Sequence, residues 1–358
     1  MSKFKDLNIV KSYLIGWLIG SILWRLLRYT DLSAVPLSQQ FTFGNILVFV
    51  LLWLIMGVLF GLMHIAIAKF VVGRIKYFQL LWLILLLQLI IFIGVIVALI
   101  YFLRYVLNIE LPESTIGLLN DPSLPVSCIY ILIINFCIGF VLYISSIVGR
   151  GNLKKILSGK FYTPLVTEKV FMFIDLKGST QLAEKLGHIT YSKLIQDCFR
   201  DLVVVHDYHA EIYQYVGDEA VLTWDLDKAM HANNGIKAFF AFQKRLNDRS
   251  AHYLSLYGAV PDFKAGMHGG IITMTEVGEL KRDIAYHGDT INTAARLQGE
   301  CNRLNVKLLI SEKLLKDLDL NSEFRSTLMG EMQLRGKNAP IQVYSLEEFT
   351  TSKGVQKE

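Results

Sequence analysis

Four apolar runs, at 9–27, 44–70, 78–103 and 127–148, constrain this chain more than any other feature. A helix needs about 20 apolar residues to cross the hydrocarbon layer of a bilayer, and each run is of that length. Lys11 and Arg25 trim the uncharged core of the first run, where both are expected to snorkel to the interfaces. The overall composition, 53% hydrophobic in 358 residues with a mean hydropathy of +0.41, is too apolar for a soluble protein of this size. That surplus is concentrated in the N-terminal half, so the chain reads as an α-helical membrane domain of four spans followed by a water-exposed domain.

Charge divides along the same line. Residues 1–150 hold ten Lys and Arg against five Asp and Glu, while residues 151–358 hold 26 of each. The whole net +5 therefore flanks the spans, which argues against a nucleic-acid surface and for membrane topology. Lys3, Lys5, Lys11, Lys69, Arg74, Lys76, Arg150, Lys154 and Lys155 put the N-terminus, the turn after span two and the C-terminal half in the cytoplasm, although Arg25, Arg28 and Arg104 fall on the other side. The first run is followed by Trp24-Arg-Leu-Leu-Arg28 rather than a small-residue cleavage site, so it reads as a span and not a signal peptide. His64, Gln88 and Asn135 lie inside spans and read as interhelical hydrogen bonders, with a sensor role through quinone, haem or ligand contact as the alternative. Cys128, Cys137, Cys198 and Cys301 form no CxxC or Cys/His cluster and read as free thiols.

After a junction ending at Lys169, strand and helix patterns alternate. Strands are expected at Val170–Ile174, Ala210–Tyr215, Ala220–Trp224, Phe263–Ile272, Lys307–Ile310 and Ile341–Leu346. Helices are expected near Ser179–Leu186, Tyr191–Tyr208, Lys228–Asn247 and Asn292–Asn302. The strand–helix–strand–strand–helix–strand order is that of the split βαβ, ferredoxin-like fold.

Two aspartates close apolar, strand-like runs in this half: Asp175 in Phe173-Ile-Asp-Leu-Lys-Gly-Ser-Thr180 and Asp218 in Tyr213-Gln-Tyr-Val-Gly-Asp-Glu219. Side by side, two such carboxylates make a hard-oxygen site for divalent cations. A third segment, Gly288-Asp-Thr-Ile-Asn-Thr-Ala-Ala-Arg296, spaces Asn292 and Arg296 four apart on one helix face. Carboxylates for metal, with an amide and a guanidinium for a polyphosphate, describe nucleotide chemistry.

Together with Leu334-Arg-Gly-Lys337 and Pro340-Ile-Gln-Val-Tyr344, these motifs resemble the class III nucleotidyl cyclases over roughly 165–346. The resemblance implies an α+β ferredoxin-like palm in which Asp175, Asp218 and the carbonyl of Leu176 hold two Mg²⁺ or Mn²⁺ ions. These would lower the pKa of the substrate 3′-hydroxyl and neutralise charge as it attacks the α-phosphate. Asn292 would orient the ribose and Arg296 clamp the α-phosphate, with Arg335 and Lys337 on the triphosphate tail. Gln214 and Ala285 occupy the places where ATP-specific members carry Lys and Asp or Thr. In this family metal and transition-state residues meet across a head-to-tail interface, so a homodimer in the bilayer is implied. The implied reaction is ATP to 3′,5′-cyclic AMP and pyrophosphate at the cell (inner) membrane, in signal transduction and without a nucleic-acid partner. GTP as substrate, and a nucleotide-binding membrane receptor of weak activity, are the alternative readings. The expected domains are 1–148 (spans), 149–169 (linker), 170–347 (cyclase) and 348–358 (polar tail).

Overall fold

The computed structural model describes residues 3–29, 43–71, 76–106, 123–148, 156, 158–159, 163–280, 283–320, 323–333 and 340–349. The chain forms two compact units divided between Ile147 and Val148.

The first unit contains α1 (Lys3–Tyr29), α2 (Phe43–Phe70), α3 (Tyr77–Tyr101) and α4 (Ser123–Val148). All four are long and apolar enough to cross a membrane. Lipid-like surroundings give apolar helices no hydrophobic reason to associate, so small residues and polar contacts must do it. A Cβ at Gly57 or Gly61 of α2 would stand 3.1 Å or 3.0 Å from the backbone of Leu14 or Val10 of α1, so these glycines let the two helices approach closely. Trp17 sits at the centre, 1% exposed, stacked on Phe60 and donating its indole N–H to Asn135 Oδ1 at 3.1 Å. Tyr13 and His64 pair at 3.2 Å, joining α1 to α2.

The second unit is built on β1 (Leu165–Leu176), α5 (Ser179–Asp201), β2 (Glu211–Val216), β3 (Glu219–Asp225), α6 (Leu226–Met230), α7 (Asn234–Asp248), α8 (Ser250–Tyr257) and β4 (Phe263–Val277). It continues with β5 (Asp283–His287), α9 (Asp289–Leu304), β6 (Leu308–Ser311), α10 (Glu312–Leu315), β7 (Phe324–Met332) and β8 (Ile341–Glu348). The sheet order is β2-β3-β1-β4-β6-β8-β7, with β5 on β4. Its first four strands are mutually antiparallel neighbours and form the split βαβ arrangement.

Alternation along β1 explains the two layers. Val170, Met172, Ile174 and Leu176 face the core made with α5 and α7, whereas Phe171 and Phe173 face the cluster that includes Ile272, Tyr286 and Ala294. Helix α9 closes on that second face at Gly266, where a Cβ would stand 2.1 Å from the backbone N of Gln298. A glycine on β4 thus sets how deeply α9 sits.

Several boundaries differ from the sequence-based expectation. β1 begins at Leu165, inside the segment expected as linker. The expected helix Lys228–Asn247 is broken: Ala232 and Asn233 take left-handed φ of 50° and 58°, separating α6 from α7. Strands β5 and β7 and helix α8 were not anticipated; β7 is largely exposed and pairs with β8, so no buried face marks it. Arg335 and Lys337 lie outside the described residues.

Candidate active site

Asp175 lies one residue from the end of β1, and register sets its neighbours: Glu219 on β3 and Lys264 on β4 stand directly opposite it. Cross-strand partners share a face, so Glu219, Asp175 and Lys264 form a row on the α9 side of the sheet. Lys264 Nζ lies 3.2 Å from Asp175 Oδ2. Gln298 of α9 donates its Nε2 to the same oxygen at 2.9 Å. Gly217, with a left-handed φ of 63°, turns β2 into β3 in two residues and so brings Asp218 to the end of this row, where its charge acts on Glu219.

The electrostatics are only partly compensated. Burial, then the charges of Asp175 and Asp218, push the Glu219 carboxyl up to about 7 against the opposing pull of Lys264. Burial, then the charge of Asp218 and a hydrogen bond to it, push the Tyr191 hydroxyl up to about 12. Asp218 Oδ2 is nevertheless buried with no hydrogen-bond partner among the described residues. An orphaned buried carboxylate oxygen costs free energy, and a hard divalent cation beside it would remove that cost. Among the described residues no three His, Cys, Asp or Glu side chains could hold one ion. An ion there would rest on two carboxylates and on oxygens from outside the protein's acidic side chains, the habit of Mg²⁺ with nucleotides.

Asn292 and Arg296 share α9, Asn292 exposed and Arg296 half-buried. Arg296 Nη1 is buried without a hydrogen-bond partner among the described residues, a donor suited to an anion. At about 100° per residue, Arg296 is turned about 160° from Gln298, the residue of α9 that meets Asp175. The helix that touches the carboxylate row thus aims its amide and guanidinium elsewhere.

Gln214 is exposed on β2 opposite Val221, and Ala285 half-buried on β5 opposite Thr275. Following the register through β3, β1 and β4 places these two on opposite faces of the sheet. After burial, the charge of Asp283 on β5 helps raise the hydroxyl of Tyr213, the neighbour of Gln214. Lys264, Gln298, Glu219 and Tyr191 were missed in the sequence. Glu219 was visible beside Asp218, but the others are adjacent to the carboxylates only through register and helix docking.

Residues 163–348 match the family described as adenylate and guanylate cyclase catalytic domain. The chain is 37% identical over 226 residues to adenylate cyclase 2 of Rhizobium meliloti (strain 1021), a match covering 63% of this chain and 62% of that protein. It is 25% identical over 208 residues to an adenylate cyclase of Anabaena cylindrica, covering 56% of this chain and 40% of that protein. The chain thus spans less than two thirds of the length of these relatives. A bacterial light-regulated adenylyl cyclase structure superposes with a TM-score of 0.53 at 20% identity, over 64% of this chain and 67% of that one, a likeness of fold.

Proposed function

The chain belongs to the adenylate and guanylate cyclase catalytic domain family, and from that premise we propose that it is a membrane-bound cyclase converting ATP to 3′,5′-cyclic AMP and pyrophosphate in a homodimer. The observation that carries the reading is the pair of unmet groups, the Asp218 oxygen that wants a cation and the Arg296 nitrogen that wants an anion. Asp175, Asp218 and the Leu176 carbonyl would hold Mg²⁺ or Mn²⁺, two per site. Bound there, the ions supply activation of the 3′-hydroxyl and neutralisation of the leaving pyrophosphate.

The protein's own groups do the rest. Arg296 presents a planar fork to the α-phosphate, where charge accumulates as the ring closes. Asn292 orients the ribose that carries the attacking oxygen, which keeps the reacting atoms in line. Lys264 keeps the carboxylate row from being wholly anionic before substrate arrives. Because α9 turns Asn292 and Arg296 away from the Asp175 of their own chain, a second copy is needed to bring the two halves together, which supports two shared sites per dimer. Orientation follows the flanking cations and puts the catalytic unit on the cytoplasmic side of the cell membrane, where ATP is. Gln214, whose amide offers both a donor and an acceptor, supports side activity on GTP.

Purified protein incubated with each of the four nucleoside triphosphates and Mn²⁺ is expected to yield cyclic AMP as the main product by mass spectrometry, with lesser cyclic GMP. Nucleotide binding with no cyclic product would replace this reading with a receptor. The shared site has its own test. Asp175→Ala and Arg296→Ala, each inactive alone, should recover part of the activity when co-expressed, because one interface of the hybrid dimer is intact. Inactivity despite demonstrated heterodimers would place each site within one chain.

A further inference from the structure

Gln298 is 7% exposed and Lys264 is 8% exposed, so both bring polar groups into a place where an unused donor is costly. Apolar packing also holds this region together. Helix α9 already rests on Gly266 and buries Ala294, Leu297 and Cys301 completely or nearly so. The two donors instead reach one atom: Asp175 Oδ2 accepts from Gln298 at 2.9 Å and faces Lys264 at 3.2 Å. They come from different elements, a strand paired in register with β1 and a helix docked above it. Two donors on one carboxylate oxygen from different directions stop the group rotating and leave its other oxygen for a ligand.

Resting on the assignment of Asp175 as a metal ligand, we infer that Gln298, together with Lys264, is a positioning residue that fixes the Asp175 carboxylate for the divalent cation. Gln298 is the informative half. It is neutral, so it orients the carboxylate without competing with the ion for its charge, whereas Lys264 does both. Groups that orient a ligating carboxylate typically change metal affinity by about 10–100-fold when lost.

The test uses the full-length membrane protein with 3′-deoxy-ATP, which lacks the attacking hydroxyl, and follows the melting temperature as Mn²⁺ is raised. Gln298→Met keeps length and removes the donor. It should raise the Mn²⁺ concentration for half-maximal stabilisation about tenfold. Turnover on ATP should show the same shift in Mn²⁺ dependence and recover most of its maximum at saturating Mn²⁺. A role confined to helix packing predicts the reverse, a lowered maximum and melting temperature with unchanged Mn²⁺ dependence, and that result overturns the inference. Gln298→Glu keeps the shape and sets an anion against Asp175, so it should weaken Mn²⁺ at least as much; it also carries the test if the Met variant does not fold. Tighter Mn²⁺ binding by the Glu variant would mean that position 298 reaches the ion itself, and positioning would be wrong. Asp175→Asn separates the two levels. If it keeps the wild-type response to Mn²⁺, the assignment of the metal ligand fails; if it loses that response while Gln298→Met is normal, only the positioning role fails.

Discussion

Helix α5 runs between two carboxylate clusters that the fold treats in opposite ways. Near its C-terminal end, Asp201 Oδ2 accepts from the Tyr253 hydroxyl at 2.7 Å and Arg249 Nη1 at 2.6 Å, while its Oδ1 accepts from Arg245 Nε at 3.1 Å. One turn earlier, Asp197 Oδ2 accepts from the Tyr257 hydroxyl at 2.7 Å and lies 3.2 Å from His252 Nε2, and its Oδ1 pairs with Arg200 at 3.0 Å. Both carboxylates are surrounded by donors that bolt α7 and α8 onto α5. At the other cluster Asp175, Asp218 and Glu219 crowd together around Lys264, and one buried oxygen has no partner among the described residues. Satisfied charge is structural: it holds helices and is complete without a ligand. Unsatisfied charge is stability held in reserve for something that binds.

The sharpest way to break this contrast is to neutralise one member of each cluster. Asp175→Asn or Asp218→Asn should lower turnover at saturating Mn²⁺ by at least about 10²-fold. Without metal the melting temperature of Asp218→Asn should stay level or rise, since a like charge has been removed at an oxygen with no partner among the described residues, whereas Asp175→Asn also strands the buried Lys264 and is read by turnover alone. A clear loss of stability would make this cluster structural after all. Asp201→Asn should do the opposite. Its arginine partners are partly exposed, so losing the buried charge and its hydrogen bonds should cost about 1–3 kcal/mol, seen as an earlier unfolding midpoint in denaturant, with turnover per folded molecule near wild type. Unchanged stability would show that the donors around Asp201 are ornamental.

A smaller effect is expected with acid. Burial raises the Asp197 carboxyl, but Tyr257, His252 and Arg200 outweigh it and hold its pKa below the ordinary 3.8. A depressed acid contributes stability above its unfolded value and loses it as pH falls through the folded one. Wild type should therefore lose more unfolding free energy than Asp197→Asn as pH is lowered from 5 to below about 3.8. Parallel pH profiles for the two proteins would remove Asp197 from the satisfied class.

What the sequence disclosed follows the range of the interactions involved. The four long apolar helices are local facts, written in consecutive apolar residues, and so are Asp175 and Asp218 at the ends of apolar strands. The break between α6 and α7 was also present in part, in Asn233, a residue type that tolerates left-handed backbone, but its left-handed neighbour Ala232 gave no sign and the apolar period on either side hid it. Lys264 was invisible as a site residue because nothing near it in the chain says it will stand opposite Asp175; only the register of β1 with β4 does. Gln298 was hidden for a related reason, sitting two residues past the Arg296 that drew attention and on the far side of the helix. The strand β7 carries few buried side chains, so its pairing left no pattern to read.

Gly266 has a consequence for anyone mapping this protein by mutation. Every substitution there adds at least a carbon where the backbone of α9 already passes, so none is conservative. A screen that scores only product would rank the position with Asp175 and Asp218, although glycine has no group to offer the reaction. Its role is spatial: by having nothing, it lets one helix come close enough for Gln298 to reach Asp175.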